Sequence, residues 1–154
     1  MTNHIDGIPD IGLSPGGRTV ARMTDTTTPA IPAGSIAWFE IGTDDAATAR
    51  QFYGDVFGWS FADEGPAYTI VTTGAGHPLQ GGIRDTSVDR PDGTSAAYAL
   101  PYVLVDDVAA ACAAVESAGG KVVVGATTTP TGLVWGMVDD PAGNTVGLFT
   151  PPAA

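Results

Sequence analysis

Glu40 is the acid of this chain best placed to move a proton. It lies in Ile36-Ala37-Trp38-Phe39-Glu40-Ile41, where strand alternation puts Trp38 and Glu40 on one face and Ala37, Phe39 and Ile41 on the other. A carboxyl in an apolar cleft is a candidate general acid or base. The competing expectation is a partly solvated strand residue paired with Arg84 or a backbone amide. Other reactive groups are few. The histidines are His4 and His77, and the one cysteine is Cys112. A single imidazole beyond the N-terminal stretch leaves no Ser-His-Asp arrangement. His77 follows Gly74-Ala75-Gly76 and reads as part of an exposed hairpin loop. Cys112 reads as packing on a helix, and one cysteine forms no intramolecular disulfide. The glycines make neither GxGxxG nor a phosphate loop after a strand.

The elements that must position these groups come in two matched sets. A strand over 36–41 leads to Thr43 or Asp44 as a helix cap, and Asp44 and Asp45 suit the positive helix end. The helix carries Ala46, Ala49, Phe52, Tyr53, Val56 and Phe57 at three- and four-residue spacing and stops at Gly58. Strands are expected near 59–62, 67–73 and 79–84. The order then repeats. A strand spans 98–105, Asp106 caps a helix bearing Val108, Ala111, Cys112, Val115 and Ala118, and Gly119-Gly120 ends it. Strands near 121–124, 133–138 and 145–149 follow. Gly58 and Gly120 share the 62-residue offset that relates Asp44-Asp45 to Asp106-Asp107. Two such units, each with one bare sheet face, are expected to pair.

The chain therefore reads as an N-terminal tail over 1–33, rich in Thr, Pro, Gly and Asp, and one domain over 34–151, with modules at about 34–86 and 96–150. Met23 opens Met-Thr-Asp-Thr-Thr-Thr-Pro and is an alternative start. The N-terminus shows no secretory pattern and no run reads as a membrane span. The formal charge of −11 repels a phosphate backbone, so nucleic acid is not an expected partner. It would attract a cationic small molecule, although acidity mainly serves solubility. The lone cysteine suits a reducing cytoplasm.

Trp38-Phe39-Glu40-Ile41 leading to Asp45, Phe52-Tyr53 through Phe57-Gly58-Trp59, Tyr102 to Asp107, Gly119-Gly120 and Asp140-Pro141-Ala142-Gly143-Asn144 together resemble the vicinal oxygen chelate superfamily. That superfamily includes glyoxalase I, extradiol dioxygenases and the fosfomycin and bleomycin resistance proteins. Over about 33–150 the chain is similar to the actinobacterial glyoxalase-like group labelled hydroxylase or 27 kDa antigen, whose members often carry two such domains in tandem. The resemblance implies an α+β fold, with two β-α-β-β-β modules forming curved mixed sheets around a central cleft and helices on the outer face. It also implies a homodimer.

In metal-dependent members, four His or Glu side chains ring a divalent ion that holds two vicinal substrate oxygens. Carried over, those positions fall on Trp38, Gln80 to Gly82, Leu100 and Gly147. None is a good ligand, so no metal and no cofactor are expected. A modified site would have to recruit Glu40, His77 and an aspartate.

Alternation points Trp38, Glu40, Tyr98, Leu100, Tyr102, Gly147 and Phe149 at the cleft, with Tyr68, Trp135 and Met137 as further candidates. Gly147 is expected to leave room where a ligand side chain usually stands. An aromatic cleft with few polar groups suits a small molecule, although the same rings could fill the sheet interior or a dimer interface. The leading expectation is a metal-independent binder of a cationic or aromatic molecule, such as an antibiotic or secondary metabolite. The alternatives are a glyoxalase-like or hydroxylase-type enzyme using Glu40, and a ligand-free dimeric interaction module.

Overall fold

The computed structural model describes residues 30–154. His4, the start at Met23 and most of the expected tail lie outside the described residues. The elements are β1 (Ile36–Thr43), α1 (Ala46–Phe57), β2 (Ser60–Asp63), β3 (Tyr68–Thr72), β4 (Gln80–Asp85), β5 (Tyr98–Leu104), α2 (Val108–Ser117), β6 (Lys121–Thr128), β7 (Val134–Asp139) and β8 (Thr145–Thr150). This is the β-α-β-β-β order twice over.

Both helix caps sit one residue later than the sequence suggests. Asp45 accepts the Thr48 amide at 3.0 Å and Asp107 accepts that of Ala110 at 3.0 Å. A capping oxygen must reach an amide in the first turn. Asp44 is held back because the Asp45 amide donates to Thr43 Oγ1 at 3.1 Å, closing a local turn. The caps Asp45 and Asp107 keep the 62-residue offset. Gly58 ends α1 with φ +70°, a left-handed conformation that a side chain would strain.

The strands form one mixed sheet of eight, ordered β2-β3-β4-β1-β5-β8-β7-β6. Within the modules β1 runs parallel to β4 and β5 parallel to β8, and the antiparallel β1–β5 pair joins the halves. That seam fixes which side chains share a face. Phe39 and Ile41 stand opposite Pro101 and Ala99, whereas Trp38, Glu40 and Gly42 stand opposite Tyr102, Leu100 and Tyr98. Directly opposed residues point the same way, so one face carries both helices and the other the cleft. On the helix side, α1 covers Ile41, Val71 and Ile83, and α2 buries Val108 and Cys112 against Val138 and Leu148. On the cleft side Leu100, Tyr102 and Met137 form a third cluster with Trp38, Trp135 and Phe149 around it.

Two elements depart from expectation. Phe52, Val56 and Phe57 of α1 are more than half exposed, and only Ala46, Ala49 and Tyr53 of its stripe pack inward. Trp59 takes the missing place: its ring stacks on Tyr53 at 4.9 Å and meets Phe39 at 5.4 Å, a wedge between helix and sheet. Strand β6 does not stop near 124. Its register against β7 shifts between Val124 and Thr127, so a bulge absorbs Gly125 and Ala126 and pairing resumes through Thr128.

Candidate functional site

The cleft face holds an open-mouthed cavity of about 690 Å³ whose walls include Trp38, Tyr68, Tyr102, Trp135 and Phe149. Glu40 and Arg84 lie among these rings, and exposed Glu64 and Asp89 form the rim with the segment Thr127 to Thr131, of which only Thr129 is half-buried. Register builds the centre. Tyr68 pairs with Arg84, Arg84 with Gly42, and Gly42 with Tyr98, a row across β3, β4, β1 and β5. Gly42 contributes no side chain to that row. The flanking groups close on Glu40, two residues along β1.

Glu40 is only 2% exposed, and its setting is polar rather than apolar. Tyr68 Oη donates to Oε2 at 2.9 Å, Tyr98 Oη to Oε1 at 2.6 Å and Arg84 Nε to Oε1 at 3.2 Å. Trp38 Nε1 donates to Tyr68 Oη at 3.1 Å, and Arg84 Nη1 donates to Asp89. The guanidinium carbon stands 4.8 Å from the Trp135 ring centre and 5.6 Å from that of Tyr68. Burial is the largest single influence on Arg84 and lowers its pKa, but the Glu40 charge, the Glu40 hydrogen bond and the neighbouring Tyr98 and Tyr102 together outweigh it and the net shift is upward, so the cation is secure.

Burial first, and the Glu40 charge second, raise the pKa of Tyr68, Tyr98 and Tyr102. The unfolded chain releases these phenolic protons near pH 10, while the folded chain retains them. Their contribution is therefore complete below about pH 10 and is lost as pH rises beyond it. In an alkaline titration, phenolate absorbance from these three should appear together with loss of the near-ultraviolet dichroism. Three phenols ionising near pH 10 in a still-folded protein would contradict this.

Of the expected ligand-binding residues, Trp38, Tyr68, Tyr102, Trp135 and Phe149 line the cavity; Tyr98, Leu100, Met137 and Gly147 do not. Leu100 and Met137 are buried beneath it. Tyr98 turns its hydroxyl to Glu40. The room expected at Gly147 is filled, because a Cβ there would meet the Tyr102 ring. The same device recurs where Tyr98 lies over Gly42 and Tyr68 over Gly82. The competing expectation paired Glu40 with Arg84, and that pair is present, although Glu40 is buried rather than partly solvated. Sequence reasoning did not name Arg84 as a lining residue, and it missed Asp89 and Thr127 to Thr131 at the mouth. Arg84 follows Gly82, one of the positions carried over to the fourth strand, by two residues, and that parity was the available signal.

The family model described as Glyoxalase/Bleomycin resistance protein/Dioxygenase superfamily matches residues 35–148, which takes in both helices and nearly every strand. The chain belongs to this superfamily. It is 28% identical over 121 residues to CFP32 of Mycobacterium tuberculosis, a protein bearing a glyoxylase name, covering 75% of this chain and 45% of that protein. It is 32% identical over 108 residues to the anthracycline biosynthesis protein DnrV of Streptomyces peucetius, covering 59% of this chain and 38% of that one. The chain thus matches less than half the length of these curated relatives. Methylmalonyl-CoA epimerase from M. tuberculosis shares the fold, with a TM-score of 0.55 at 17% identity over 80% of this chain and 94% of that one.

The strands that carry the superfamily's metal ligands, β1, β4, β5 and β8, lie side by side at the centre of the sheet. Their occupants here do not fit a divalent ion. Trp38 is an indole, Leu100 is buried, and Gly82 and Gly147 lie beneath tyrosine rings. The one carboxylate near the centre, Glu40, is already held by a guanidinium and two phenols, and a guanidinium repels a cation. Among the described residues no three His, Cys, Asp or Glu side chains group as a metal site.

Proposed function

We propose that this superfamily member is a metal-independent binding protein that holds a planar aromatic small molecule in the cleft. The observation that carries this reading is the aromatic-walled cavity whose central acid is already engaged. Both Glu40 oxygens accept hydrogen bonds from protein donors, so this acid serves to hold the cleft together. A volume of about 690 Å³ is in the range of small-molecule sites, roughly 300–1,000 Å³. DnrV is named for the biosynthesis of anthracyclines, which are flat fused-ring molecules, and such a shape suits walls of this kind. Glu40, Glu64 and Asp89 against Arg84, three acids to one base, favour a cationic group on the ligand.

Doxorubicin, a planar aromatic cation, is a suitable probe. It should quench the intrinsic tryptophan fluorescence saturably and raise the melting temperature, because binding to the native state stabilises it. Trp135→Ala should weaken binding about tenfold, the loss of one stacking partner worth roughly 1–3 kcal/mol. Absence of saturable binding by doxorubicin and by its aglycone would overturn the reading.

One observation favours an enzyme instead: the Tyr68 phenol, bonded to Glu40, lines the same cavity and forms a short path for a proton. A glyoxalase-like or hydroxylase-type reaction on that path would be abolished by Glu40→Gln in a variant that still folds. A ligand-free dimeric interaction module would instead have the partner chain fill this cleft.

The same reading includes a homodimer in the cytoplasm. The exposed Phe52, Val56 and Phe57 of α1 are apolar surface of the kind a partner covers. Cys112 is an unpaired, buried thiol, which suits a reducing compartment. No described helix is long and apolar enough to cross a membrane.

A further inference from the structure

We propose that Arg84 Nη2 is the docking point for a neutral acceptor oxygen on the ligand, a ketone or quinone carbonyl, so that the cleft selects carbonyl-bearing ring systems over plain hydrocarbons. This rests on the cleft being the ligand site and adds what the ligand must carry. A guanidinium has five N–H donors in a fixed fork. Arg84 spends Nε on Glu40 and Nη1 on Asp89. Among the described residues nothing accepts from Nη2, yet no buried side-chain nitrogen or oxygen there is left without a partner. Nη2 is therefore not sealed in. It keeps open surface, and Arg84 lines the cavity. The side chain is otherwise nine-tenths covered and rests against the Trp135 and Tyr68 rings.

A donor held this firmly needs no ordering when a ligand arrives, which is the saving that preorganisation supplies. The neighbouring charges decide the kind of oxygen. Glu40 and Asp89 both contact the guanidinium, so two negative charges surround one positive charge. A third anion would meet that excess, whereas a carbonyl accepts the hydrogen bond without it. The flanking rings would place the carbonyl at the edge of a stacked aromatic plane.

Fluorene and 9-fluorenone are matched planar probes that differ by one carbonyl, and 2-naphthoate supplies an anion. Wild-type protein should bind fluorenone at least tenfold more tightly than fluorene, the worth of a hydrogen bond to a charged group. In Arg84→Met that ratio should fall to about one. Should Arg84→Met not fold, Asp89→Asn serves in its place, because Asp89 is 56% exposed. Removing its charge should tighten 2-naphthoate several-fold relative to fluorene. Equal binding of fluorene and fluorenone by the wild type, or 2-naphthoate unmoved by Asp89→Asn, would overturn the docking point and leave the aromatic cleft standing. Binding of none of these probes, nor of doxorubicin, would overturn the cleft reading itself.

Discussion

Glu40→Ala should remove about 3–5 kcal/mol of stability, a large share of the roughly 5–15 kcal/mol that holds a domain of this kind together. The cost is not the side chain's own burial. It arises because Arg84, only a tenth exposed, would keep its charge without its buried partner, while Tyr68 and Tyr98 lose their acceptor. Asp89 cannot compensate, since it is more than half exposed and its pairing is screened by solvent. The measurement is the urea midpoint at constant slope. Glu40→Leu combined with Arg84→Met should recover much of the loss, because an apolar pair of similar volume leaves no stranded charge. A Glu40→Ala protein melting within a degree or two of the wild type would refute this account of the cleft.

Gly147→Ala should cost about 1–3 kcal/mol through overpacking, although it adds one methyl group to a strand. The methyl would meet the Tyr102 ring, itself packed beside Phe149 at 6.3 Å between ring centres. The test is a pairwise one. Tyr102→Leu withdraws the ring, so Gly147→Ala should cost markedly less in that background, a coupling that a double-mutant cycle reads directly. Gly125→Ala is the control: a Cβ there meets nothing within 4 Å, and the change should stay within about 0.5 kcal/mol. Equal costs for Gly147→Ala in both backgrounds would show that the ring does not set the constraint.

What could be read from the chain alone was local. Alternation along one strand places Trp38 and Glu40 together, and a glycine at 58 stops a helix, because each depends on neighbours in sequence. The surroundings of Glu40 are of another kind. Tyr68, Arg84 and Tyr98 reach it from 28, 44 and 58 residues away, and only the register of β3, β4 and β5 against β1 brings them in. A carboxylate on an apolar strand therefore reads either as lying in an apolar pocket or as a partly solvated partner of Arg84, whereas it is buried and shared between Arg84 and two phenols. Tyr102 over Gly147 is hidden for the same reason, since it depends on the β5–β8 pairing. The rim threonines were missed because Gly125 and Ala126 resemble a strand end, whereas the sheet absorbs them as a bulge. The α1 stripe misled differently. Helical periodicity names a face but not its cover, and Trp59 from outside the helix took part of that role.

Because Tyr68, Tyr98 and Tyr102 occupy the space above Gly82, Gly42 and Gly147, this scaffold has few single-step routes toward a metal centre. A glutamate introduced at position 147 would have to displace a ring before it could coordinate anything, and the displaced ring belongs to the wall that shapes the cleft. Two exchanges would be required together, with either one alone producing a weaker protein. The plates of tyrosine on glycine act in this sense as a ratchet, committing the fold to a future in which its chemistry can change mainly at the rim.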